Sequence, residues 1–514
     1  GEVRHVGAPS GTGTLYHWKT LLAEKLYHYS RITFWKPLVN SIMMALLACA
    51  VAVGFGGAVA WFITRSDIPG KKFLSTIFVF PYIMPSWSIA MFWENFFKNS
   101  QIVACYNQVG MLESLTGICV PEGVLYGFFA CAMCLGIHYA PFAYLLIGGI
   151  LRNMDANLEE AATVLKASRA KILVRITLPI VMPALISTIL LVFSSSISSY
   201  TVPAFLNKNG SFPTVSTTMR SLFNSASMQG QGFVIAIILL FFSVVILMVN
   251  NIFTGKRKSF TTVTGKSGQV SLVKLGKARM PIAVVIMAIS VFLAIVPLVS
   301  FALESLLEVP GDYSTLSLYY WTTTNTLEDR VFGSSQGILR NPTIWKALFS
   351  SLVLSFCVAL IAGTFGILIG YAVSRKRGSR LARWVSNMAF FPYLIPAMSF
   401  GAVYLSVSYT GTFAFLRGTL LLLIIVGSVK FLPFASKSGA NAMMQLSGEI
   451  EEAAIIMGVP WWKRMLRVLF PIQKASFMSG YLLPFISCMR ELSLFVLIAA
   501  PGRIITRVLQ DFEV

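Results

Sequence analysis

Charge is scarce in this 514-residue chain: Asp, Glu, Lys and Arg together make up 12% of it, with 20 acidic residues against 41 basic ones. A soluble domain carries about twice that share of charge, so a water-facing globule is excluded. Histidine occurs four times, at His5, His17, His28 and His138, with no H-E-x-x-H pair, which removes zinc-hydrolase chemistry. The seven cysteines show no metal-binding spacing. Cys49, Cys131, Cys134, Cys357 and Cys488 lie in apolar runs, where cysteine acts as a small hydrophobe. Cys131-x-x-Cys134 sits inside such a run and not at a strand-to-helix turn, so it is no redox motif. A phosphate-binding loop is also missing: Gly265-Lys266-Ser267 ends like one, but Phe260 stands where its first glycine is needed. No catalytic residue is expected, and any ATP hydrolysis has to occur on another chain.

What is present is apolar length. The chain is 56% hydrophobic with a mean hydropathy of +0.73, and runs of about 20 apolar residues read as membrane spans. Ten spans are expected, near 38–64, 72–98, 122–151, 178–206, 231–253, 280–303, 343–374, 384–410, 416–440 and 470–500. The net charge of +21 lies in short loops and not in a soluble basic domain, so no nucleic acid is expected as a partner. Basic loops at Arg65–Lys72, Arg152–Arg175, Lys256–Arg279, Arg375–Arg383 and Lys463–Arg467 alternate to one side, which the positive-inside rule makes cytoplasmic. Glu304, Glu308, Asp312, Glu328 and Asp329 fall on the opposite side. So do Cys105 and Cys119, in a polar loop whose compartment permits a disulfide between them; the pairing is left open.

The chain repeats itself. Glu159-Glu160-Ala161-Ala162 recurs as Glu451-Glu452-Ala453-Ala454, offset by 292 positions (452 − 160), and Pro179 and Pro471 each follow the second glutamate by 19 residues. His138-Tyr139-Ala140-Pro141-Phe142-Ala143 aligns with Lys430-Phe431-Leu432-Pro433-Phe434-Ala435 at the same offset. Phe80-Pro81-Tyr82-Ile83-Met84-Pro85 aligns with Phe391-Pro392-Tyr393-Leu394-Ile395-Pro396 at 311. Both halves keep one orientation, so the repeat is parallel. The first half lacks a partner for the span at 280–303, and the partner of 231–253 would fall beyond Val514. The expectation is therefore ten spans here and twelve in the intact protein.

A short polar helix with this spacing, set between apolar spans, resembles the coupling loop of ABC-importer permeases. The resemblance covers nearly the whole chain. It implies an all-α membrane protein with two parallel-repeated permease domains of the type I importer kind. The domains are 1–254 and 280–514, with a basic cytoplasmic linker at 255–279 and coupling loops near 152–177 and 441–469. It places ATPase coupling on Glu160, Ala161, Ala162 and Lys166 in the first loop and on Glu452, Ala453, Ala454 and Gly458 in the second. The family usually has glycine where Gly458 stands. Lys166 is a departure that puts a tight turn there in doubt. The prolines are expected to begin the next span, where a missing N–H costs little, and Phe80-Pro81 and Phe391-Pro392 to kink theirs.

Ionisable residues at membrane depth usually face a bundle interior. Arg490 and Glu491, their repeat partners Ser198 and Ser199, and the pair His138 and Lys430 are therefore candidates for a translocation path or for structural pairing. His138 and Lys430 have a further reading near the cytoplasmic mouth. Arg490-Glu491-Leu492 with Pro501-Gly502, and Thr201-Val202-Pro203-Ala204 with Thr217-Thr218-Met219-Arg220, look like the ferric-iron permease group. That group also has thiamine, phosphonate and polyamine relatives. The partners implied are a homodimer of a cytoplasmic ABC ATPase carrying ATP and Mg, a periplasmic or lipid-anchored substrate-binding protein, and membrane lipid, in a bacterial inner membrane. The chain itself is expected to hold no cofactor, and any metal ligands in it are left unknown. A secondary transporter also uses parallel repeats and is the competing class.

Overall fold

The computed structural model describes residues 15–22, 27–102, 109–153, 157–208, 210–225, 227–255, 272–308, 311–324, 327–329, 333–376, 378–446 and 448–513. It is helical apart from a short hairpin pairing Leu327–Asp329 with Gly333–Ser335 and two isolated bridges. Two compact units divide at Thr324 and Asn325.

The first unit contains α1 (Lys36–Arg65), α2 (Lys71–Ile83), α3 (Ser86–Phe97), α4 (Phe128–Asn153), α5 (Asn157–Val164), α6 (Leu178–Ile197), α7 (Val215–Asn224), α8 (Gln229–Gly255) and α9 (Arg279–Glu304). Helix α1 packs along α4, α6 crosses both, and α9 lies against α2 and α3. The expected span at 280–303 thus packs with the first unit. The second unit contains α10 (Pro342–Arg375), α11 (Arg380–Leu394), α12 (Ala397–Ser408), α13 (Leu420–Gln445), α14 (Gly448–Ile456), α15 (Lys474–Met489) and α16 (Ile505–Glu513). Here α10, α13 and α15 pack on one another as α1, α4 and α6 do.

Seven helices among the described residues are long and apolar enough to cross a membrane, and nine if each bent pair counts once. The bent pairs are α2 with α3, at 94°, and α11 with α12, at 95°. The bends fall beyond Pro81 and Pro392, which stay inside their helices. Met84 and Ile395 turn extended, and Pro85 and Pro396 cap the next helix. The span expected at 470–500 is shorter than foreseen. Its helix ends at Met489 after 16 residues, about 24 Å at 1.5 Å per residue.

In hydrocarbon, helices associate through close contact of small residues. A Cβ on Gly56 would lie 2.1 Å from the Ala140 carbonyl oxygen, and one on Gly366 would lie 2.4 Å from the Ala435 Cβ. They are two of the glycines that let α1 approach α4 and α10 approach α13 so closely. Replacing Gly56 with Val is expected to lower stability by about 1–3 kcal/mol through overpacking. Gly54→Val, where nothing lies within 4 Å, should leave the melting temperature of the detergent-solubilised protein near the wild type.

Candidate coupling helices and membrane-buried polar groups

Each unit carries a short helix, α5 or α14, on the same end as the basic terminus of its long first span. One ion pair fixes that placement in each. Arg65, the last residue of α1, has no exposed side-chain surface and pairs with Glu159 of α5. The Thr177 hydroxyl donates to Glu159 Oε1 at 2.7 Å. Arg375, the last residue of α10, pairs with Glu451 of α14 at 2.6 Å, and Arg464 approaches the same carboxylate at 3.8 Å. Tyr371 donates its hydroxyl to Glu451 as well. The two glutamates are 292 positions apart (451 − 159), so the repeat holds at the level of the ion pair.

This shifts emphasis within each coupling motif. The sequence pointed to the second glutamate, Glu160 or Glu452. In the structure the first glutamate of each pair is buried, while Glu452 and Ala453 face outward and Ala454 faces the protein. Ala161 is exposed and Ala162 half-buried; the Glu160 side chain lies outside the described set. Arg65 and Arg375 were read only as orientation markers. Their 310-residue separation, close to the 311 of the adjoining repeat block, was the signal that could have paired them with the glutamates.

The tight turn survives the loss of glycine. Lys166 has φ +57°, among the described residues the one positive-φ side chain that is not glycine, and Gly458 has φ +69°. Hydrogen bonds close both turns in the same pattern. Lys166 N–H donates to Thr163 O and Ala167 N–H to Ala162 O; Gly458 N–H donates to Ile455 O and Val459 N–H to Ala454 O. This is the Schellman end of a helix, and a lysine there costs about 1–2 kcal/mol relative to glycine. Beside each turn an apolar pair stands out of the protein. Val164 and Leu165 are each 81% exposed; Ile456 and Met457 are 86% and 73% exposed. They are repeat partners, and sequence reasoning missed them because they end a helix too short for hydropathy or periodicity to show which side faces out.

Beyond each turn the backbone widens into a π-helical turn, Leu173–Thr177 or Met465–Leu469, again 292 apart. Pro179 and Pro471 follow directly. Both prolines stand in the first turn of the helix after the π-helical turn, as expected, where a missing N–H costs little. The first of these helices runs on to Ile197, whereas the second stops at Ile472 and the span resumes at Lys474 beyond Gln473.

The buried polar candidates prove to hold backbone. The Lys430 ammonium donates to the carbonyls of Pro392, at 2.9 Å, Tyr393 and Ile395, which the α11–α12 bend leaves without helical partners. His138 Nδ1 lies 3.2 Å from the Pro81 carbonyl at the equivalent bend, and a carbonyl can only accept, so Nδ1 carries the proton. Both residues are buried, which places them at the bends and not snorkelling at a cytoplasmic mouth. Arg490 and Glu491 follow the last residue of α15, as Ser198 and Ser199 follow that of α6, so neither pair is mid-helix. Glu491 Oε1 accepts the Leu494 N–H at 3.0 Å, its carbonyl accepts the Thr506 hydroxyl at 3.1 Å, and its charge acts on Lys430. The Ser198 hydroxyl donates to Ser194 O at 2.8 Å, and the Ser199 N–H to Ser196 O at 3.1 Å.

The chain after each helix end then returns to the first span of its own unit. Val215 N–H donates to Ser41 Oγ and Ile505 N–H to Ser351 Oγ, both at 2.9 Å. Cys105 lies outside the described residues, so its pairing with Cys119 is not addressed. Among the described residues no three His, Cys, Asp or Glu side chains converge as metal ligands.

Two outcomes follow for substitution. Glu451→Gln, which removes the charge that Arg375 and Arg464 face, should cost about 1–3 kcal/mol. The exposed Glu452→Gln should stay within about 0.5 kcal/mol, read as thermal stability of the purified protein. Lys430→Met should destabilise by about 1–3 kcal/mol for each carbonyl left bare. Lys430→His, copying the first half, should recover part of that loss in the same measurement.

The chain is 24% identical over 476 residues to the ferric transport system permease protein of Actinobacillus pleuropneumoniae, covering 92% of this chain and 66% of that one. It is 23% identical over 477 residues to a provisionally named ferric transport system permease protein of Haemophilus influenzae, covering 91% of this chain and 71% of that one. A provisionally named 2-aminoethylphosphonate transport system permease protein of Salmonella typhimurium is 28% identical over 158 residues, 31% of this chain and 59% of that one. Two stretches, residues 40–258 and 362–511, each containing one ion-paired short helix, match a single family pattern, and the chain belongs to the family of binding-protein-dependent transport system inner membrane components.

Proposed function

We propose that this chain is the permease of an ATP-driven importer that receives ferric iron from an extracytoplasmic binding protein and passes it inward across a bacterial inner membrane. The observation that carries the reading is the pair of coupling helices. Each is held to its own span by an ion pair on a buried glutamate and presents an outward apolar pair. Such exposed side chains on a polar loop fit docking into a partner groove. Two matched helices fit two copies of a cytoplasmic ATPase, which would carry ATP and Mg. The ion pair makes helix and span one mechanical piece, so movement imposed at the ATPase reaches the bundle. The π-helical turn and its proline supply the joint.

Ferric iron rests on the two relatives that match over about nine-tenths of this chain; the phosphonate relative matches less than a third of it. The requirement for a binding protein, carried in the family description, displaces the secondary-transporter reading.

The test is ATP hydrolysis by the permease–ATPase complex in lipid nanodiscs with loaded binding proteins. A ferric-loaded binding protein should stimulate hydrolysis, and Val164→Asp with Ile456→Asp should abolish both the stimulation and ATPase retention. Stimulation by a phosphonate-loaded protein alone would overturn the iron assignment and leave the coupling sites standing.

A further inference from the structure

The two halves differ at one place beneath the coupling helices. In the first unit a cavity of about 430 Å3 opens between α1, α4 and the rod that runs from the π-helical turn into α6. Its wall is almost wholly apolar, and Trp61, Leu173, Thr177 and Leu178 lie along it. At five of the twelve lining positions the second unit carries a larger apolar side chain, while Val53, Phe62 and Ile147 have the smaller partners Gly363, Ala372 and Gly439. Gly57 and Ala58 of the cavity correspond to Ile367 and Leu368, and Thr177, Leu178 and Leu185 to Leu469, Phe470 and Phe477. Those second-half residues form one packed cluster, in which Phe470 and Phe477 stack 5.6 Å apart. Around this point the second half packs five larger apolar side chains together, where the first half keeps an open apolar cavity.

Three features define what would fill the first slot. Its depth is that of the cytoplasmic leaflet: Val53, the farthest α1 residue on its wall, is 12 positions (65 − 53) from Arg65, about 18 Å at 1.5 Å per residue. Its size lies in the range that encloses a small apolar ligand, roughly 300–1,000 Å3. Its cytoplasmic edge is basic. Lys171 and Arg175 are exposed, and their four-residue spacing puts them on one face that runs toward Leu178. An acyl chain below and an anionic headgroup above meet these conditions together.

We propose that this cavity is a site for one anionic phospholipid of the cytoplasmic leaflet, whose acyl chain takes the place that Ile367, Leu368, Phe470 and Phe477 take in the second half. The lipid then braces the π-helical turn whose Thr177 also holds the coupling glutamate, Glu159. The first coupling helix is lipid-supported and the second self-supported.

The experiment uses the complete chain with its ATPase in phosphatidylcholine nanodiscs containing a small, increasing fraction of brominated-acyl phosphatidylglycerol. Quenching of Trp61 is taken as wild type minus Trp61→Phe. It is expected to saturate at low phosphatidylglycerol content, and Gly57→Ile with Ala58→Leu is expected to remove the saturating component. Native mass spectrometry should show a phosphatidylglycerol retained by the wild type. Retention should fall roughly tenfold in the filled variant, the scale of losing a few buried methylenes. Lys171→Gln with Arg175→Gln should keep a lipid but lose the preference for phosphatidylglycerol over phosphatidylcholine. Quenching that rises linearly with bulk composition, and is the same in the filled variant, would overturn the proposal. Lys171→Gln/Arg175→Gln, which leaves the core untouched, keeps the headgroup part testable if the filled variant does not fold. None of these readouts depends on the identity of the cargo.

Discussion

A single kind of contact organises each half of this protein: an arginine at the basic end of a long span, paired with a buried glutamate on a short helix that follows it far along the chain. Arg65 reaches Glu159 across 94 residues, and Arg375 reaches Glu451. Burying a charge is costly unless it is paired and hydrogen-bonded. Each partner therefore holds the other in place, and the short helix cannot drift from the bundle without exposing both. The first half completes the carboxylate with the Thr177 hydroxyl, the second with Tyr371 and Arg464. Geometry is conserved between the halves while the supporting chemistry differs.

The same principle acts at the bends. A helix broken near the membrane interior leaves carbonyls that neither water nor its own ladder can satisfy. A buried donor from the neighbouring span answers them, His138 in one half and Lys430 in the other. A charged lysine can donate three times, and three carbonyls take it. His138 and Lys430, read from sequence position as path candidates, hold the backbone that shapes the bundle. The lipid cavity extends this theme of unequal halves, since one packs its own core where the other leaves room.

Much of the architecture was legible in the chain. The scarcity of charge and the apolar runs announced a membrane bundle, the offset of 292 announced two like halves, and the basic loops grouped the right segments on one end. Contacts in the first unit bring three of these segments together: Arg65 meets Glu159, and Asp67 accepts the Leu275 N–H at 2.9 Å, bringing the end of the basic linker to the same loop. Less legible were places where a rule of local propensity was overridden. Lys166 takes a left-handed turn because the hydrogen bonds of the helix end and the parallel course of the chain require it, despite its side chain. The last long apolar run breaks at Met489 because Arg490 to Ile504 turn back toward Ser351. Hydropathy averages over such a return and cannot see it.

The sequence by itself determined the class, the repeat, the grouping of basic loops at one end and the two repeated short helices, because composition and periodicity are properties of the linear chain. Only the tertiary structure decided which glutamate of each adjacent pair is the anchor, that Lys430 binds backbone, and that the first half keeps a cavity where the second packs larger apolar side chains together. Neighbouring residues on a helix point about 100° apart. Which of them faces inward is settled by a surface contributed from a distant part of the chain, and spacing within the motif carries no record of that surface.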